Sequence, residues 1–98
     1  MNDAGEWTHE GWWIDVPTTN GSVQLGYRLP EHTYFAVQFD QDGRYVPESG
    51  IGGGWGEIST VDELHAAMRA TRTPLDLSTR PDLSAALRSA REAARTAQ

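Results

Sequence analysis

The sequence predicts an α+β fold: an antiparallel β-meander of three to four strands followed by two α-helices, at least one of them packed on the apolar face of the sheet. Three observations carry this expectation. Apolar residues alternate with a period of 2 across residues 12–39, punctuated by Asn20-Gly21 and Asp42-Gly43, both favoured hairpin corners. A stretch holding Gly50, Gly52, Gly53, Gly54 and Gly56 then ends the alternation. Beyond it the apolar period becomes helical.

Residues 1–6 are polar and expected to fray. A first strand is expected within residues 7–16, bent at Gly11, with Pro17 weakening its end in a way that suits a sheet edge. The second, residues 22–29, alternates strictly through Val23, Leu25, Tyr27 and Leu29. A type I′ corner at Asn20-Gly21 would pair Val16 with Leu25, Ile14 with Tyr27 and Trp12 with Leu29. The large apolar side chains then share one face. Trp13, Asp15, Gln24 and Arg28 take the other, with Trp13 opposite Arg28 in a cation–π pair.

A third strand, residues 34–40, is expected to pair Leu29 with Phe35. That register turns Phe35, Val37 and Phe39 into the core and leaves Tyr34 outside. The Asp42-Gly43 corner would pair Phe39 with Val46 and set Tyr45 beside Asp40, in a short fourth strand ended by Pro47.

Thr60 has the character of a helix N-cap, with Glu63 in the capping-box position. Val61, Leu64, His65 and Met68 form the apolar side of that helix, and Thr73-Pro74 breaks it. Leu75 and Leu77 read as an extended connector. Residues 78–81 begin a second helix, with Pro81 in its first turn. Its stripe is Leu83, Ala86, Leu87, Ala90, Ala94 and Ala97, beside a ridge of Arg88, Arg91 and Arg95; residues 96–98 are expected to fray. Because the stripe is alanine alone beyond Leu87, that end would fray or serve a partner, including a second copy of the chain. Residues 1–98 read as a single domain without repeats.

The net charge is −6, and it is unevenly placed. Residues 1–58 carry nine Asp/Glu and two Arg, giving −7, while residues 59–98 carry five Asp/Glu and six Arg, giving +1. The acidic sheet half opposes phosphate backbones, which argues against nucleic acid and favours a protein partner of basic character. All eight basic residues are arginine, and cysteine is absent, so disulfide and thiolate chemistry are excluded. No apolar run approaches a membrane span and no signal peptide is evident, which sets a cytoplasmic expectation.

His9, His32 and His65 lack metal-ligand spacing, no nucleophile context surrounds the serines, and no cofactor motif is present. These features weigh against an enzyme. The glycine-rich loop lacks the phosphate-loop lysine, and Glu57, Asp62 and Glu63 place negative charge where a phosphate would sit; a flexible connection is the simpler reading. Trp55 within it has three roles open: core plug, hinged lid or interface anchor. The thin core favours the plug.

The expected function is a non-catalytic protein–protein interaction module, a small acidic regulator, inhibitor or immunity-type protein. Its binding face would hold Trp13, Asp15, Arg28, Tyr34, Asp40 and Tyr45, with Trp55 as an anchor. The alternative is a ligand-binding protein or enzyme using a cleft between the glycine-rich loop and the first helix, lined by Gly53, Trp55, Glu57 and His65.

Overall fold

The computed structural model describes residues 5–97. A four-stranded antiparallel sheet of order β1-β2-β3-β4 comprises β1 (Glu6–Thr8), β2 (Gly11–Thr18), β3 (Gly21–Arg28) and β4 (Thr33–Asp40). Helix α1 (Val61–Ala70), a 3-10 turn at Leu77–Thr79 and helix α2 (Pro81–Ala97) follow. This is the expected α+β arrangement. The expected fraying at residues 1–4 and at residue 98 lies outside the described residues, whereas Glu6 opens β1 and α2 runs through residues 96 and 97.

The bend foreseen at Gly11 is a full reversal, so one expected strand becomes two. Gly11 lies at φ +139°, and a Cβ there would stand 2.0 Å from the carbonyl oxygen of Tyr27. The corner between β2 and β3 also differs. Thr18 pairs with Gly21, leaving Thr19 and Asn20 as the turn, and neither of these has positive φ, which excludes type I′. The pairs are Val16 with Val23, Ile14 with Leu25 and Trp12 with Tyr27. This register lies two residues from the expected one. A shift of two preserves the alternation, so Trp12, Ile14, Val16, Val23, Leu25 and Tyr27 are buried together as foreseen.

Between β3 and β4 the difference is three residues, and an odd shift exchanges the faces. Leu25 pairs with Ala36 and Tyr27 with Tyr34, which puts Tyr34 and Ala36 in the core and turns Phe35, Val37 and Phe39 to the opposite face. The four-residue turn through His32, held at φ +51°, sets this register. Tyr27 and Tyr34 meet edge to face, 5.1 Å between centroids.

The short strand expected after the Asp42-Gly43 corner does not form; a single bridge joins Phe39 to Tyr45 rather than to Val46. From there the chain runs back along the outer edge of β4 and satisfies its backbone. Asp40, Gln38, Ala36 and Tyr34 donate their N–H groups to Arg44 O at 2.9 Å, Ser49 Oγ at 3.0 Å, Ile51 O at 3.2 Å and Ile58 O at 3.0 Å, respectively. The expected flexible connection is therefore a strap that closes the sheet edge. Buried Thr33 fastens its far end, accepting from Ile58 N at 2.9 Å.

Thr60 caps α1, its Oγ1 accepting from Glu63 N at 3.1 Å. Val61, Leu64 and Met68 of α1, Leu77 of the 3-10 turn, and Leu83, Leu87, Ala90 and Ala94 of α2 join the core on the inner face of the sheet. The alanine end of α2 is thus consumed by its own chain at Ala90 and Ala94; Ala97 lies outside the described side chains.

Candidate functional site

Strand alternation builds the outer face. Across β2, β3 and β4 its rows are Gly11–Arg28–Thr33, Trp13–Gly26–Phe35, Asp15–Gln24–Val37 and Pro17–Ser22–Phe39, and β1 adds Glu6 beside Trp13. The helices' buried side chains cluster with the inner face, not with this one. Trp13, Val37 and Phe39 are half-buried, and Phe35 is buried yet stands outside the main core cluster.

Gly26 places no side chain between Trp13 and Phe35, and a Cβ there would stand 1.9 Å from the Trp12 carbonyl oxygen. A concavity of ≈ 300 Å³ is bordered by Thr8, Glu10, Trp13, Gln24, Arg28 and Phe35. Arg28 is its cation. The guanidinium carbon sits 4.6 Å from the centroid of the Phe35 ring, a diagonal cross-strand neighbour. Such stacking contributes about 0.5–2 kcal/mol, the upper end when desolvated.

The Nε–H of Arg28 is buried without an acceptor, a loss of about 1–3 kcal/mol. Among the described residues no carboxylate pairs with Arg28, whereas Arg80, Arg88 and Arg95 have Asp82, Asp62 and Glu92 at 3.0, 3.8 and 3.9 Å. Glu10 borders the same concavity, but its carboxylate lies 3.9 Å from His9 Nε2.

Of the residues expected on the binding face, Trp13, Asp15 and Arg28 do share it, although Arg28 stands opposite Gly11 rather than opposite Trp13 and stacks on Phe35. Tyr34 does not belong there. It is 1 % exposed, and its hydroxyl donates to Leu87 O at 3.3 Å. Burial raises its pKa, with the positive charges of Arg91 and Arg88 acting in the other direction. Asp40 is committed to the following turn, its Oδ1 accepting from Asp42 N at 2.9 Å and Arg44 N at 3.0 Å. Tyr45 is half exposed at the bridge to Phe39.

Trp55 is 76 % exposed, so the expected plug is corrected: its loop is held by Gly56 N donating to Glu31 O and Gly52 N donating to Glu57 Oε2, and the indole leans on His32 with centroids 6.0 Å apart. The residues of the alternative cleft are engaged separately. Glu57 holds Gly52, and His65 Nε2 meets Asp76 Oδ1 at 2.9 Å. Gly53 has open space around it. None of the four lines the sheet concavity or the hollows at Trp7 and at Arg88–Arg95.

The basic ridge is tied largely to its own chain. Arg91 donates to Ser59 O, and Arg88 and Arg95 have the acidic neighbours given above. Sequence reasoning missed Phe35, Val37, Phe39 and Gly26 as members of the outer face. The available signal was Gly26 itself, since a glycine inside a clear strand marks a place where flanking aromatics can close over the backbone.

Among the described residues no His/Cys/Asp/Glu group of three could hold a metal ion, and no helix is long and apolar enough to cross a membrane. No protein-family model, curated protein or solved structure matches this chain.

Proposed function

We propose that this protein is a non-catalytic interaction module, a small acidic regulator or inhibitor that binds another protein through the outer face of its sheet. The supporting observation is the outer-face set of Trp13, Phe35, Val37 and Phe39, which stands outside the helix-packed core cluster, beside a stacked arginine and a concavity of ≈ 300 Å³. Aromatic residues and arginine are the side chains that concentrate binding energy at protein interfaces. Glu6 and Asp15 on this face, and Glu10 at its border, favour a partner whose contacting surface is largely basic, chiefly by speeding encounter.

The test is affinity capture from the native host by the wild-type chain, by Trp13→Ala and Val37→Asp, and by Arg69→Glu on the exposed surface of α1. A partner that binds this face is recovered equally by wild type and Arg69→Glu and at least about tenfold less by the two face variants. Undiminished recovery by folded Val37→Asp removes the reading.

A further inference from the structure

We infer that the concavity bordered by Arg28, Trp13 and Gln24 receives one carboxylate side chain of the partner, with Arg28 as its counter-charge, inside a contact whose remaining partner residues are basic. This rests on the interaction-module reading and specifies the chemistry of its centre.

Arg28 is held in place before any partner arrives. Its guanidinium carbon lies 4.6 Å from the Phe35 ring centroid, a contact that restricts where the charge sits. Its Nε–H has no acceptor, and no described carboxylate neutralises it. An apolar side chain entering the concavity would strip water from this charge and return nothing, and a cation would be repelled. A carboxylate meets the guanidinium edge with charge-assisted hydrogen bonds while Trp13 and Phe35 cover its methylene stem. Gln24 at the border adds a neutral amide that can serve the second carboxylate oxygen.

On the β1–β2 side of this cation stand Glu6, Glu10 and Asp15. The surface therefore presents one positive charge with negative charge beside it. The complementary partner carries an Asp or Glu flanked by Lys or Arg. Glu10 is the nearest internal competitor, since it borders the concavity and is 74 % exposed.

The experiment is an NMR titration of the full 98-residue chain with acetyl-Lys-Glu-Lys-amide and with its Gln congener, observing the Arg28 Nε–H and Trp13 indole N–H signals. The glutamate peptide is expected to shift both signals saturably and to bind about tenfold more tightly than the glutamine peptide. The preference should vanish in Arg28→Gln and grow in Glu10→Gln. Arg28→Lys, which keeps the charge without the stacked plane, should lose most of it.

Equal affinity for the two peptides, or a glutamate preference that survives in Arg28→Gln, overturns the proposal. Dilution-dependent shifts of the same two signals in the protein alone would make a second copy the occupant, and this too overturns it. Failure here is distinct from failure of the wider reading. If capture still collapses in Val37→Asp while the peptides bind alike, the face survives and only the carboxylate is lost; if capture is unaffected as well, both fall.

Discussion

Two neighbouring glycines, Gly52 and Gly53, behave oppositely for a stated steric reason. Gly52 adopts φ +81°, and a Cβ there would stand 1.9 Å from the Tyr34 carbonyl oxygen, while nothing lies within 4 Å of one added at Gly53. Gly52→Ala is expected to cost about 2 kcal/mol or more by lifting the strap from β4. Gly53→Ala should be neutral or stabilising by up to about 1 kcal/mol, and urea unfolding of the pair reads the contrast directly. A third position argues the reverse case. Arg72 holds φ +57° just past α1, where Thr73 N bonds Met68 O and Arg72 N bonds Arg69 O. This is a Schellman ending with an arginine in glycine's place. Arg72→Gly relieves about 1–2 kcal/mol of left-handed strain against an entropy cost of about 0.5–1 kcal/mol, so a net gain of about 0.5–1 kcal/mol is expected in the same assay.

At the scale of elements, the sheet owes its closed edge to side chains as much as to strands. Ser49 stands where a strand partner would be, accepting from Gln38 N and donating to Val46 O at 2.7 Å. Ser49→Ala leaves the Gln38 amide without its acceptor, and a loss of about 1–3 kcal/mol is expected, with faster hydrogen exchange at that amide than at Leu25. The other edge is blunted differently: β1 covers only Gly11, Trp12 and Trp13 of β2, and the stretch it leaves bare carries Asp15 and Pro17. Neither edge invites a further strand.

The connector between the helices is fixed by Asp76, whose Oδ1 accepts from Ser78 N at 2.9 Å, from Ser78 Oγ at 2.7 Å, and meets His65 on α1. The two Ser78 bonds, then His65, hold the Asp76 carboxyl below its ordinary value. A carboxylate depressed in the folded state stabilises the fold above its unfolded pKa and stops doing so as pH falls through the folded value. Asp76→Asn should therefore be less stable than wild type at pH 7. The gap should close in acid, below about pH 4, when urea midpoints are compared across that range.

For the whole molecule, the packing of α2 decides whether the chain needs a second copy. Ala90 and Ala94 are buried in the chain's own core at 5 % and 2 % exposure. Ala94→Asp is expected to cost about 3 kcal/mol or more as a buried, unpaired charge. That loss should be the same at protein concentrations a hundredfold apart, since the contact lies within one chain; concentration dependence in calorimetry would show that another copy supplies it.

Much of this arrangement was legible in the residues themselves. The order of strands and helices, the Thr60 cap, the buried side of α1 and the inward set of β2 and β3 follow from local chemistry and from a period that a two-residue register difference leaves intact. What local chemistry could not settle was β4. Both of its faces are apolar, Tyr34 and Ala36 on one and Phe35, Val37 and Phe39 on the other, so alternation alone does not say which is inside. The turn at His32, the strap along the β4 edge and the helices packed on one side chose between them. That choice buried Tyr34 under α2 and left Phe35 beneath Arg28, because only contacts between distant segments can rank two patterns that are equally good strands.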